Sequence, residues 1–291
     1  MMRGPSKIGM AVRKPDNEIE LKVDEIDMPS RKYKFLQLPF IRGVIGLVES
    51  MYIGVNSLLF SASFFDDEEE ESEGPSFMEK KFGDKAESVE MGMTVLLSLA
   101  ITIVVFMILP NFIANFARRF TENTILLNLV EGVVRLTIFF IYLFYVSKLD
   151  EIERMFQYHG AEHKSIHCYE NGEELTVENI KKYPLMHKRC GTSFLFMVMI
   201  ISILVLSFFG WPNMLMRVVT RILAFPVIAG ISYEINKFMG RYDNKFTDVL
   251  AWPGLMIQKY FTVKEPDGAQ IETAILALKS VLPQEGESDR W

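Results

Sequence analysis

The chain has 291 residues, of which 49% are hydrophobic, and its mean hydropathy is positive at +0.17. These values are high for a soluble protein, and the apolar residues are gathered into long runs. The net charge is −6, but seven acidic residues lie in the run DDEEEESE, and the net charge of the rest of the chain is +1. With so small a positive charge we expect no nucleic-acid partner.

Residues 1–37 form the first predicted region. Apolar and polar residues alternate through KIGMAVRKPDNEIELKVDEI (7–26) on both sides of a turn at Pro15-Asp16-Asn17. Alternation with a period of two is typical of a half-buried strand, so the pattern predicts a small N-terminal β-hairpin.

Residues 38–63 form the second region. In PFIRGVIGLVESMYIGVNSLLFSA (39–62), the apolar residues follow helical spacing, while Arg42, Glu49 and Asn56 fall on another face. This pattern predicts an amphipathic helix that lies on the membrane surface or packs against the spans. A fifth span with its polar stripe turned inward is the alternative.

The acidic run belongs to a third region, residues 64–90. The run is followed by Gly74-Pro75-Ser76, a combination that disfavours helix and strand. A block of like charges repels itself and cannot bury apolar surface, so this region is predicted to be a solvated, disordered loop.

Four later apolar runs are predicted to cross the membrane, since a bilayer needs about 20 helical residues. In chain order the runs are 94–116, 124–146, 193–210 and 215–238. They define two membrane regions, residues 91–147 and 193–240. The fourth run is the weakest because polar residues and a proline interrupt it, namely Arg217, Arg221, Pro226 and Glu234.

Charged residues inside these runs need partners. Glu131 and Arg135 lie four apart in the second run, and an arginine near mid-bilayer costs about 2.5–3.5 kcal/mol on insertion scales. We therefore expect Arg135 to pair with Glu131 or to line a polar cavity. Arg221 and Glu234 of the fourth run are further candidate partners.

All four histidines and both cysteines lie between residues 159 and 190, within the region 148–192. Cys168 and Cys190 could form one disulfide, but their histidine neighbours favour a metal or free thiols. A helix is predicted from Asp150 to Glu170, with a left-handed C-cap at Asn171-Gly172. A short helix capped by Thr176 should follow and end before Pro184.

On that helix His159 and His163 lie one turn apart on the same face, a spacing that lets two imidazoles meet one ion. Glu162 follows His159 by three residues, and the order His-x-x-Glu-His occurs in one class of zinc peptidases. The sequence therefore predicts a zinc site with Glu162 as a catalytic general base.

Further candidate ligands are His167, His187 and Cys190, and Glu170 lies near them in the sequence. His159 and His167 lie about 12 Å apart along the helix, so either His159 and His163 or His163 and His167 form the helical pair. Three ligands would make a catalytic site with an open position. Four, such as His163, His167, His187 and Cys190, would make a structural site. Arg189 could hold a substrate carboxylate or phosphate, or face lipid headgroups.

The last region, residues 241–291, begins with a mixed, surface-lying segment, WPGLMIQKYFTVKEPDG (252–268), and continues with an amphipathic helix in AQIETAILALKSVL (269–282). Together the elements predict a mainly α, polytopic helical membrane protein of about four spans, with a small N-terminal β-hairpin and amphipathic interfacial helices.

Lysine and arginine near the span ends predict the orientation. One side carries thirteen, namely Lys80, Lys81, Lys85, Lys148, Arg154, Lys164, Lys181, Lys182, Lys188, Arg189, Lys237, Arg241 and Lys245. The other side carries four, namely Arg118, Arg119, Arg217 and Arg221. The positive-inside rule puts both termini and the His/Cys segment in the cytoplasm of a bacterial inner membrane, which also disfavours a disulfide.

Five segments carry a resemblance: MMRGPSKIGMAVRKPDNEI, PFIRGVIGLVES, YHGAEHKSIHCYENGEEL, HKRCGTSF and PGLMIQKYFTVKEPD. They resemble the YqhQ-like family of bacterial membrane proteins over nearly the whole chain, which implies a metal-dependent enzyme. The family pattern also implies a Gly-Gly-Gln-Ala-Val-like stretch ahead of the segment that matches Met1–Pro5.

The expected function is zinc-dependent hydrolysis at the cytoplasmic membrane surface, of a substrate such as a membrane-associated peptide or protein. Alternatives are a non-enzymatic scaffold or assembly factor with a structural zinc, and a transporter that uses Glu131, Arg135 and Glu234. The expected partners are the lipid bilayer and that substrate, with a homo-oligomer left open.

Overall fold

The structure is a computed structural model that describes residues 1–65 and 86–283. The acidic run predicted to form a disordered loop lies outside the described residues. The strands are β1 Met2–Arg3, β2 Lys7–Arg13 and β3 Ile19–Glu25. The helices are α1 Pro29–Lys32, α2 Ile41–Ala62, α3 Ala86–Ile103, α4 Leu109–Phe116, α5 Thr124–Val146, α6 Asp150–Glu170, α7 Val177–Ile180, α8 Gly191–Ser207, α9 Met214–Arg241, α10 Lys245–Ile257 and α11 Gly268–Val281.

The remaining helical pieces extend these elements. A π-helical turn at Val104–Ile108 joins α3 to α4, and another at Gln258–Thr262 continues α10. Short 3₁₀ turns occupy Lys34–Gln37 and Ala117–Arg119.

The predicted hairpin is confirmed and gains a strand. β2 pairs antiparallel with β3 along its whole length, and β1 adds on its other edge in the order β1-β2-β3. Asn17 adopts a left-handed conformation with φ of 67° in the turn, as asparagine tolerates. The two-residue strand β1 was not predicted, because it is too short to show alternation.

The mainly helical, polytopic fold class is also confirmed. Four helical stretches are long and apolar enough to cross a membrane by length and composition: Ile41–Ala62, Gly92–Arg119, Thr124–Val146 and Leu215–Arg241. This set differs from the predicted one. The third predicted span forms only the 17-residue helix α8, because the helix ends at Ser207, ahead of Gly210 and Pro212.

The chain divides into two compact units. The first comprises Met1–Ala62, Leu143–Ser202 and Ala224–Trp291, and the second comprises Ser63–Tyr142 and Ile203–Leu223. In the first unit, α11 packs on the sheet and on α6. Their shared core includes Met2, Ala161, Ile271 and Leu278, all buried.

The charged residues of the spans find the following partners. Glu131 pairs with both Arg135 and Arg221 in the second unit, as expected. Glu234 instead pairs with Arg42 at the start of α2, in the first unit. Sequence spacing along one helix could not reveal this partner, because Arg42 lies 192 residues away in the chain.

Candidate metal centre

Helix α6 provides five of the candidate side chains, namely His159, Glu162, His163, His167 and Glu170. It runs from Asp150 to Glu170. Gly172 follows in a left-handed conformation with φ of +71°, as the C-cap sequence predicted. Three acidic residues in its first turn favour the helix by interacting with the positive end of its dipole. The helix is therefore a rigid support for its histidines.

A close crossing beside Gly160 brings a second segment to the site. The amide of Lys264 donates to the carbonyl of Phe156 over 3.0 Å, and a Cβ on Gly160 would lie 2.1 Å from the Lys264 carbonyl oxygen. Only glycine allows this approach. As a result the carbonyl of Thr262, two residues before Lys264, reaches Nδ1 of His159 at 2.8 Å.

The turn that carries His187 and Cys190 is held by Gln258, which is fully buried. The Gln258 side chain accepts from the amide of His187 at 2.9 Å and donates to the carbonyl of His187 at 2.9 Å. It also donates to Oγ of Ser193 at 3.1 Å. One side chain therefore ties the turn to the segment that continues α10 and to the start of α8.

Three residues converge in what we call the first triad, His159, His163 and Cys190. One ligand atom from each lies within 4.8 Å of the others, and Nε2 of His159 is 3.2 Å from Sγ of Cys190. In tetrahedral zinc sites two such ligand atoms lie roughly 3.5 Å apart, given Zn–S of about 2.3 Å and Zn–N of about 2.0–2.1 Å. The spacing fits one zinc-sized ion.

The other ring nitrogens of the first triad are already occupied. Nδ1 of His159 donates to the carbonyl of Thr262, and Nδ1 of His163 donates to the carbonyl of Leu185 at 2.6 Å. A carbonyl only accepts, so these bonds assign the proton to Nδ1 and turn Nε2 toward the shared point. Metal-binding histidines are usually oriented in this way.

A second triad, His167, Glu170 and His187, also gathers within 4.8 Å. His167 donates from Nε2 to the carbonyl of Met186 at 3.0 Å. In His187, however, Nδ1 accepts from the amide of Arg189 at 3.2 Å, so the ring proton lies on Nε2, 3.5 Å from Glu170. His187 thus turns its Nε2–H toward Glu170, and neither of its ring nitrogens presents a free lone pair to a metal.

Glu162 and Arg189 lie outside both triads. Oε1 of Glu162 is 2.7 Å from the amino group of Met1, and the charge of this carboxylate helps to raise the pKa of His159. Its side chain is 26% exposed, so it can reach solvent. Arg189 forms an ion pair with Glu170, so its positive charge is balanced within the protein without a lipid headgroup or a substrate.

The first triad is charged in the absence of metal. Burial alone would raise the pKa of the Cys190 thiol, but hydrogen bonds with His159 and His163 outweigh it and lower that pKa to about 5. Burial would likewise lower the pKa of His159, but the Cys190 sulfur outweighs it and raises that pKa to about 9. Burial lowers the pKa of His167 and of His187. Cys168 is buried in the core, and burial raises its pKa.

These values give a prediction for metal-free protein. The Cys190 thiol should ionise as pH rises through about 5, because His159 remains protonated up to about pH 9. Ultraviolet absorbance of the thiolate, titrated after treatment with a chelator, measures this transition. Cys190→Ser should abolish it and Cys168→Ser should preserve it. A wild-type transition above pH 8 would contradict the ion pair.

The structure sorts the sequence-predicted residues as follows. It places His159 and His163 together with Cys190, and it places His167 with His187 beside Glu170. The two cysteines are both free. Three positioning groups were missed, Gln258 and the carbonyls of Thr262 and Leu185. Of these groups only Gln258 was visible in the sequence, as a glutamine within the segment 252–268. A backbone carbonyl leaves no signal in a sequence, because every residue has one.

A protein family and a known relative match this chain over the residues of both triads. A family described as "Protein of unknown function (DUF1385)" matches residues 38–284. A Bacillus subtilis (strain 168) protein described as "Uncharacterized protein YqhQ" is 31% identical over 300 residues, covering 100% of this chain and 91% of the relative. No solved structure matches.

Proposed function

The chain belongs to the DUF1385 family, and on that premise we propose that it is a membrane protein with zinc-dependent hydrolase activity. The proposal rests on one observation, the convergence of Nε2 of His159, Nε2 of His163 and Sγ of Cys190. Nitrogen and sulfur donors in this arrangement suit zinc. Three protein ligands leave the fourth position open, as catalytic zinc sites do.

The surrounding residues suit hydrolysis. Zinc bound there would supply a Lewis acid that polarises a substrate carbonyl or phosphoryl oxygen. Glu162 is assigned as the general base that accepts a proton from the attacking water, since it is partly exposed and lies one turn from His159. His187 and Glu170 lie beside this site, because the ring centroid of His187 is 5.7 Å from that of His163 and its Nε2 is 3.5 Å from Glu170.

A structural zinc in a scaffold or assembly factor is the competing function. It would require a fourth ligand from the protein, and His187 is a candidate because its ring centroid is 5.7 Å from that of His163. The proton on Nε2 of His187 and the hydrogen bond at its Nδ1 oppose that role in this arrangement. This is why we favour the open, catalytic site.

The substrate is proposed to be a membrane-associated peptide or protein because the site lies between membrane segments. Helix α6 begins four residues after α5 ends, and Cys190 immediately precedes α8. Both α5 and α8 are strongly apolar helices. A substrate would therefore reach the first triad along the bilayer surface.

Helix α2 is proposed to lie on that surface rather than to cross it, although its length would allow a span. One side of it packs on the sheet: Ile53 joins Ile8, Met10 and Ile26 in a buried cluster, and the buried Glu49 accepts from Ser30. The opposite side exposes large apolar residues, namely Val48, Met51, Tyr52, Val55, Leu58 and Leu59. A helix between a charged sheet and a lipid face is interfacial.

The packing of the first unit supports this topology. The sheet, α6 and α11 pack on one another, so they lie on the same side of the membrane. The chain must then cross the membrane an even number of times between β3 and α6. The two spans α3–α4 and α5 meet this requirement, whereas α2 as a further span would make three crossings. The chain must also cross evenly between α6 and α11, so α8 crosses with α9, spanning about 25 Å in a locally thinned bilayer.

Labelling of single cysteines checks the topology and the proposed inner-membrane orientation. In a background that lacks Cys168 and Cys190, a cysteine at Lys181 should react only from the cytoplasm, and one at Glu122 only from outside. A cysteine at Asp16, in the hairpin turn, should behave like the one at Lys181. Opposite sidedness of the Lys181 and Asp16 probes would refute the interfacial assignment of α2.

A further inference from the structure

A cluster of buried charged side chains lies within the second unit. Glu131 on α5 is 1% exposed, and Arg217 and Arg221 on α9 are 7% and 9% exposed. Arg217 and Arg221 lie four residues apart, one turn along the same face of α9. All three belong to helical stretches that are long and apolar enough to cross a membrane.

Each oxygen of the carboxylate in this cluster already has an arginine partner. Oε1 of Glu131 accepts from Arg135 at 2.7 Å, and Oε2 accepts from Arg221. Arg135 also donates from Nε to the carbonyl of Phe106 at 3.1 Å. Glu131 therefore neutralises one charge of the two arginines that it contacts, and neither Nε nor Nη1 of Arg217 bonds to it.

Arg217 contacts an aromatic ring. Its guanidinium carbon lies 3.9 Å from the ring of Trp211, a cation–π contact. Among the described residues, its Nε and Nη1 have no hydrogen-bond partner although both are buried. The same holds for Nη1 of Arg221 and for the indole nitrogen of Trp211.

The four unpartnered atoms are all N–H donors, and the three arginines exceed the one carboxylate by two positive charges. Leaving buried donors and cations unpaired in an apolar environment is costly. The missing group must accept hydrogen bonds and carry negative charge. We propose that Arg217 and Arg221, with the indole N–H of Trp211, bind an anion of the phosphate class.

The geometry suits phosphate in particular. Guanidinium groups present parallel N–H donors that match phosphate oxygens. Arg217 lies in the first turn of the Leu215–Arg241 stretch, near its end, where a phospholipid headgroup would reach. The phosphate could thus come from a lipid headgroup or from free phosphate in solution.

Purified full-length protein, stripped of lipid in detergent, tests the site through its thermal melting temperature. One arm adds inorganic phosphate. The other adds micelles doped with phosphatidylglycerol, and its reference is micelles doped with diacylglycerol, which has the same chains but no phosphate. Stabilisation by phosphatidylglycerol alone would identify a lipid headgroup, and stabilisation by inorganic phosphate would identify a soluble anion. No stabilisation by either would overturn the proposal.

Arg217→Gln is the informative variant, because Arg221→Gln would also strip Glu131 of a partner and risks misfolding. Arg217→Gln should weaken binding of the stabilising phosphate compound about tenfold or more, since a hydrogen bond to a charged group is lost. Arg119→Gln, at an exposed arginine of the same unit, is the matched control and should bind as wild type does. Unchanged affinity of Arg217→Gln for the anion would overturn the proposal, even if the variant were more stable than wild type.

Discussion

Replacing His163 by alanine is expected to remove zinc from a protein that otherwise carries about one zinc per chain. His163 is 4% exposed, and its Nε2 is one of the three converging donor atoms. Two ligands rarely retain zinc against a chelator. Elemental analysis of the purified variant, compared with wild type prepared in the same way, measures the loss.

Two matched pairs separate loss of a ligand from loss of folding. Cys190→Ser should lose zinc while Cys168→Ser keeps it, although both cysteines are buried. His167→Ala should keep zinc, because His167 belongs to the second triad. Full zinc in His163→Ala or in Cys190→Ser would reject the first triad as the metal centre. Loss of zinc only in His167→Ala would move the centre to the second triad.

Replacing Glu162 by glutamine is expected to abolish function while zinc stays bound. The carboxylate belongs to neither triad, so the metal ligands remain. An amide cannot accept the proton of an attacking water, and loss of a general base typically costs about 10²–10⁴-fold in rate. Growth rescue of a strain that lacks the protein measures function, beside zinc content and thermal stability of the purified variant.

The comparison variant is Glu170→Gln, the same change eight residues later on the same helix. It breaks the pairing of Glu170 with Arg189 and His187, and should reduce function less than Glu162→Gln does. If the zinc is structural, Glu162→Gln should cost at most about 10–100-fold in metal affinity, and function should survive at saturating zinc. Full rescue by Glu162→Gln with normal zinc would end the hydrolase hypothesis.

The failure of this test and the failure of the arginine site are distinguishable. Phosphate binding at Arg217 is measured by thermal stability and does not depend on zinc or on growth rescue. Conversely, Arg217→Gln leaves the residues of both triads unchanged. Either proposal can therefore fail while the other stands.

The sequence by itself determined the local elements of this protein. The hairpin, helix α6 with its Gly172 cap, and the Thr176 cap of α7 follow from side-chain periodicity and capping chemistry, which act over a few residues. The same local rules placed His159, His163 and His167 on one helix. They also paired Glu131 with Arg135, because residues four apart on a helix are neighbours.

Only the tertiary structure decided which of these groups meet. Helical spacing left His163 equally able to join His159 or His167, and the choice came from residues about 100 positions away. The chain crosses α6 beside Gly160 and carries the Thr262 carbonyl to His159, and Gln258 holds the turn that delivers Cys190. Likewise Glu234 took Arg42 as its partner, because α2 packs on the sheet and its first turn contacts α9. Such long-range contacts depend on how whole elements bury their apolar faces, and no short stretch of sequence specifies that.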